Sequence, residues 1–313
     1  MTDTPTCFIA DRMTENDANP TPEQLVARLI HLLDVQDIEG DRFIGRRKPD
    51  GVARIFGGQV IGQALACAER TVPDGRPIHS LHAYFLRGGN EDHEIEFRVE
   101  RDLDGRTFSN RRIIASQLGK PILTMMASFQ VREEGIRHQD EFPASVPPPE
   151  ELASYRELLT RFIDHVPPVR RPFLMRPQPI EMRPVQPLHW LGKESFPAVS
   201  QTWIRCVAPL PDDEKIHRAV LGYASDMTLL GTSTLPHGLS WTVGTASGAS
   251  LDHAIWFHDD FRADEWMLYA TESPWAGHSR GMNRGKIYRR DGTLVASIAQ
   301  EGLIRRETPP PMK

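Results

Sequence analysis

The chain has 313 residues, 39% of them hydrophobic and 25% charged, with a formal net charge of −5. That is enough chain for two domains of ordinary size and enough apolar material for their cores. The absence of a basic excess argues against a nucleic-acid partner, and no run approaches the roughly 20 apolar residues of a membrane span.

Residues 1–20 carry Asp3, Asp11, Glu15 and Asp17 and no long apolar stretch, which reads as a loose extension and not a signal peptide. Cys7, Cys67 and Cys206 are far apart, unpaired in any metal-like spacing and odd in number. They point to a reducing, cytoplasmic compartment. Pro311-Met312-Lys313 is not a peroxisomal address.

Thr21-Pro22-Glu23-Gln24 predicts a helix start, a hydroxyl cap followed by proline at the first helical position. Leu25, Leu29, Leu32 and Leu33 give that helix an apolar face. Gly57-Gly58-Gln59 opens a second helix, through Val60, Ala64, Leu65 and Ala68. Four strands are expected next, over 79–86, 94–102, 107–117 and 121–132, separated by Gly88-Gly89-Asn90, Asp104-Gly105 and Gly119.

Between Pro143 and Pro197 fall 12 of the 26 prolines. One amphipathic helix is expected there, carrying Leu152, Tyr155, Leu158, Leu159, Phe162, Ile163 and Val166. The rest reads as an irregular connection packed on the surface, because Phe173, Leu174, Met182 and Trp190 are too apolar for a solvated tether.

The first pattern then repeats: a strand over 201–207, a helix over 216–230, and strands over 250–258, 265–272, 280–290 and 293–304. His82-Ala83-Tyr84-Phe85 is echoed by His253-Ala254-Ile255-Trp256, and Ala127-Ser128 with Gln130 by Ala296-Ser297 with Gln300. A long helix before a run of antiparallel strands, twice over, fits an α+β double hot-dog, each curved sheet wrapping one helix. Two unrelated α+β domains are the alternative. The expected divisions are 1–20, an extension; 21–142, an N-terminal hot-dog domain; 143–200, the Pro-rich connection; and 201–313, a C-terminal hot-dog domain carrying the site.

Gly277-His278-Ser279-Arg280-Gly281 matches the G-x-S-x-G nucleophile elbow. An elbow needs a helix after the serine and a histidine downstream. Here Gly281, Asn283 and Gly285 follow in a strand-like run, and no histidine lies in 280–313. A turn into a strand is the better reading. His253 and His258, five apart on a strand, face opposite ways, and no metal or phosphate-loop motif stands out. Gly57-Gly58 is at most a faint anion cradle at a helix start.

More telling are polar residues where apolar ones belong. Asp226 lies beside the apolar face of the 216–230 helix, and Gln300 shares a strand face with Leu294, Ala296 and Ile298. Ser250 opens the strand bearing Ala254 and Trp256. If the helix crosses the concave sheet, acid, hydroxyl and amide can hold one water. A buried structural network without chemistry is the alternative.

Five stretches carry a family resemblance: 56–60 (FGGQV), 79–87 (HSLHAYFLR), 221–226 (LGYASD), 251–258 (LDHAIWFH) and 295–302 (VASIAQEG). Through them the chain resembles the acyl-CoA thioesterase II (TesB-like) family from about residue 21 to 306. The resemblance implies a double hot-dog and acyl-CoA thioester hydrolysis without cofactor or metal. It assigns the catalytic set to Asp226, Ser250 and Gln300. Serine stands at 250 where the family often has threonine. The resemblance also implies a homodimer or homotetramer.

Of the three, only Asp226 is titratable, so it is the expected base or water-orienting group. The first half's helix, 58–68, bears no acid, so one site per chain is expected and Gln130 reads as structural. Arg280 and Arg284 could meet the substrate's phosphates, and a solvated strand face is the alternative. Rival readings are a hot-dog enoyl-CoA hydratase or dehydratase and a non-catalytic acyl-CoA binding protein. The first needs an acid–histidine pair, and Asp252 and His253, adjacent on a strand, face apart.

Overall fold

The computed structural model describes residues 19–48, 54–186, 189 and 194–308. Cys7, Trp190, the C-terminal tripeptide and all but residues 19 and 20 of the expected extension lie outside them.

Helix α1 (Pro22–Leu33) starts as its sequence predicts. Thr21 Oγ1 accepts from the Gln24 N–H, and the Gln24 side chain accepts from the Thr21 N–H, closing a capping box. Two short strands follow that periodicity had not revealed, β1 (Val35–Asp37) and β2 (Arg42–Gly45). Then come α2 (Gly57–Glu69), β3 (Ile78–Phe85), β4 (Ile95–Asp104), β5 (Phe108–Gln117) and β6 (Lys120–Gln130).

The connection is more broken than its apolar spacing suggests. In place of one helix over Leu152–Val166 stands α3 (Tyr155–Arg161), flanked by 3-10 turns at Pro149–Glu151 and Ile163–His165. After α4 (Arg171–Leu174) the chain forms β7 (Ile180–Pro184), which pairs with β8 (Val199–Cys206).

Helix α5 (Glu214–Ser225) is shorter than expected. It stops at Ser225 with Asp226 as its C-cap, and a 3-10 stretch (Leu229–His237) replaces the last turn. The strand expected over 250–258 is two, β9 (Ala246–Ser250) and β10 (Asp252–Phe257), broken at Leu251. Then come β11 (Met267–Gly277), β12 (Arg280–Arg289) and β13 (Leu294–Arg306).

All strands join one antiparallel sheet, ordered β1-β2-β4-β5-β6-β3-β10-β13-β12-β11-β8-β7, with β9 against β13. The order is a palindrome about the β3–β10 seam. Each half wraps a helix, and α2 and α5 lie against each other. A side chain at Gly58 would run into the Tyr223 carbonyl, so this approach needs glycine. The duplication read from the sequence is thus a double hot-dog. Among the described residues no helix is long and apolar enough to cross a membrane.

Register corrects one part of the repeat. Ala83 pairs with His253 at the seam. On one side of it, Ala127 pairs with both Leu81 and Arg111. On the other, Gln300 lies one step beyond the Ala254–Ala299 pair and opposite Asn283. The β4–β5 hairpin matches β11–β12 with Asp104–Ser109 on Ala276–Gly281, which puts Arg111 at the place of Asn283 and its partner Ala127, not Gln130, at the place of Gln300. Gln130 sits three residues on, opposite Phe108.

Candidate active site

Asp226 emerges where α5 ends and α2 begins, because the two helices run antiparallel. Its neighbour Ser225 is fully buried and fixed on three sides. The Ser225 hydroxyl donates to the Gly222 carbonyl at 3.0 Å, leaving its oxygen to accept from His253 Nε2 at 2.9 Å. Tyr269 Oη donates to the Ser225 carbonyl at 2.8 Å. Burial pushes His253 down to about 3, so the imidazole is neutral. Asp252, on the other face of β10, accepts instead from the Glu301 N–H, so acid and histidine share no task.

The Asp226 carboxylate meets both other polar residues. Gln300 Nε2 donates to its Oδ1 at 2.5 Å and to Ser250 Oγ at 2.9 Å, and Ser250 Oγ donates to the same Oδ1 at 3.2 Å. The Gly58 N–H at the start of α2 also donates to the carboxylate. Burial dominates these favourable bonds and raises Asp226 from 3.8 to about 6. The Gly57-Gly58 pair, read from sequence as a weak anion cradle, lies against this acid.

Asp226 and Ser250 open onto a cavity of about 760 Å³, and Gln300 lies fully buried behind them. Phe56, Val60 and Phe85 from the first half, Phe173, Leu174 and Met182 from the connection, and Leu230 and Leu235 from the second half give it apolar walls. The Pro-rich connection thus forms a wall of the cavity as well as a link between halves. Arg54 and Arg87 stand among its lining residues and are exposed. The guanidinium of Arg170 is bound to the Trp241 and Thr242 carbonyls.

Arg280 and Arg284 do not line the cavity. On β12 the buried positions are Gly281, Asn283, Gly285, Ile287 and Tyr288, and Arg280 and Arg284 alternate with the first four on the outer face. Arg280 Nε donates to Glu301 Oε1 at 2.8 Å, and Arg284 lies 3.9 Å from Glu272. Sequence reasoning had missed Ser225 and Tyr269 at this site, and had read Gly58 only as part of a weak anion cradle. Only the Gly57-Gly58 pair left a trace in the sequence.

The G-x-S-x-G match is a hairpin turn. β11 and β12 pair antiparallel through Gly277–Arg280, and His278 and Ser279 both have positive φ, 49° and 59°. Among the described residues no cluster of three or more metal-ligating side chains occurs.

Residues 177–303 match the acyl-CoA thioesterase family model, and residues 47–130 match that of the acyl-CoA thioesterase N-terminal domain. The human acyl-coenzyme A thioesterase 8 is 39% identical, with 88% of each chain covered. Acyl-CoA thioesterase 2 of Haemophilus influenzae is 36% identical, over 90% of this chain and 98% of its own. Among solved structures, the acyl-CoA thioesterase II TesB2 of Mycobacterium marinum has a TM-score of 0.72 and 40% identity, over 89% of this chain and 98% of its own.

Proposed function

The chain belongs to the acyl-CoA thioesterase family, and from that premise we propose that Asp226, Ser250 and Gln300 carry its thioester hydrolysis through one bound water. The reading rests chiefly on a carboxylate raised to about 6, held by an amide and a hydroxyl at the edge of a large apolar cavity.

A thioester carbonyl is electrophilic enough to need no protein nucleophile. Asp226 Oδ1 already accepts from Gln300 and Ser250, so we assign the water to Oδ2, the oxygen near Gly57. Asp226 takes a proton from that water as its oxygen attacks the carbonyl carbon. The tetrahedral adduct collapses, the C–S bond breaks, and the proton on Asp226 passes to the departing thiolate. The products are a carboxylic acid and the CoA thiol. A base near 6 is ionised at neutral pH yet able to hold the proton transiently. The helix α2 N-terminus favours negative charge developing beside it.

The acyl chain lies along the apolar walls. We assign the phosphates of CoA to Arg54 and Arg87, which line the cavity, and not to Arg280 and Arg284, which do not. Assay of free thiol released from acyl-CoA of graded chain length tests the function. The reading predicts turnover and a length optimum. Binding of acyl-CoA without thiol release would overturn it and favour a binding protein.

A further inference from the structure

The buried face of the second half carries a polar row that the first half lacks. His253, Gln300 and Asn283 stand side by side on β10, β13 and β12, all fully buried. Matching the β4–β5 hairpin to β11–β12, with Asp104–Ser109 on Ala276–Gly281, puts Leu81, Ala127 and Arg111 in these places in the first half. Leu81 and Ala127 are apolar, and the buried Arg111 has its guanidinium bonded to Thr71, Leu103, Asn110 and Asp104, so a polar row with unmet atoms needs another reason.

Each member of the row also keeps one buried atom without a partner: His253 Nδ1, Gln300 Oε1 and Asn283 Oδ1. His253 donates through Nε2, so all three are acceptors. Asn283 Nδ2 makes only a long bond, 3.3 Å, to the Gly281 carbonyl. Neighbouring acceptors cannot satisfy one another, and unmet buried acceptors are disfavoured. A donor of two protons shared between Gln300 Oε1 and Asn283 Oδ1 resolves both.

We propose that Asn283 is a positioning residue, holding the Gln300 amide from its oxygen end through one shared water so that Nε2 stays on Asp226 and Ser250 during turnover. This rests on the role given to Asp226 above. In the resting enzyme the carboxylate's charge suffices to draw the amide N–H groups. Once Asp226 has taken the proton from the attacking water that charge is gone. Without an anchor at Oε1 the amide is then free to turn. The anchor matters most after proton transfer, so its loss lowers kcat and leaves KM unchanged.

The test uses two variants of the full chain. Asn283→Leu keeps the branching of the side chain and removes both of its polar atoms. Its kcat is expected to fall about tenfold, with unchanged KM and a melting temperature at or above wild type. Asn283→Asp keeps an acceptor for the water. It is expected to recover most of kcat and to move the acid limb of the pH–rate profile upward, because a second carboxyl then lies one residue from Asp226's partner. Wild-type kcat in folded Asn283→Leu overturns the proposal. So does a joint loss of kcat and melting temperature with no change of pH profile in Asn283→Asp, which marks a purely structural residue. If Asp226→Asn also remains active, the assignment of Asp226 fails. If Asp226→Asn is dead while Asn283→Leu matches wild type, only the role of Asn283 fails.

Discussion

Gly57 is pressed against Asp226: a Cβ built on Gly57 would lie 2.7 Å from Asp226 Oδ2 and 3.0 Å from the Phe85 ring. The space for a water on the outer carboxylate oxygen is therefore set by a missing side chain. Gly57→Ala should displace the carboxylate or the water and lower kcat by about 10²-fold, the scale of a misplacement near 1 Å. Because the helix start is preserved, circular dichroism should be unchanged. Unaltered kcat in this variant would place the water elsewhere.

The raised Asp226 pKa sets two pH dependences. As a base it works ionised, so kcat/KM should rise with pH, pass half-maximum near the value of about 6 and level off above it. Stability runs the other way. The folded chain holds the proton up to about 6 and the unfolded chain only to about 3.8, so this group's contribution falls as pH rises through that window. The difference amounts to about 3 kcal/mol at neutral pH. Asp226→Asn should therefore gain stability over wild type between pH 4 and pH 7, as read by denaturant titration. A constant stability difference across that range would contradict the raised pKa.

Gln300→Ala should lower kcat by about 10²-fold, the scale of a misplacement near 1 Å of the carboxylate it holds. Gln130→Ala should leave kcat unchanged, with a stability change within about 1 kcal/mol. Its backbone position does not correspond to Gln300, and Ala127 at the matching place has no hydrogen-bonding amide. Equal loss of kcat in both variants would require a second working site per chain.

The hairpin at His278-Ser279 separates a serine hydrolase from a water-using one. Ser279→Ala should retain activity, and a serine-directed phosphonate should not label Ser279. Labelling of Ser279 would revive the elbow reading that the antiparallel β11–β12 pairing argues against.

The duplication was legible because its long strands alternate cleanly and its helices are amphipathic. The short β1, β2 and β7 were not, since three to five residues leave too little period to read. The end of α5 was misplaced because apolar residues continue past Ser225 into the 3-10 stretch at near-helical spacing. That one-turn difference makes Asp226 a cap facing another helix's N-terminus. The first half's helix likewise runs one residue past the acid-free span, to Glu69. Burial holds Glu69 up at about 8, and it faces Arg218 at the far end of the helix pair. Sequence placed Asp226, Ser250 and Gln300 among polar residues on buried faces. It misjudged Arg280 and Arg284, because nearness along a strand says nothing of which face a side chain takes.

The central claim is that Asp226 supplies the base. The direct measurement is thiol release from acyl-CoA by folded Asp226→Asn beside wild type near neutral pH. The account predicts a fall in kcat of about 10²-fold or more, with substrate binding retained. Turnover equal to wild type in a folded Asp226→Asn chain would contradict it.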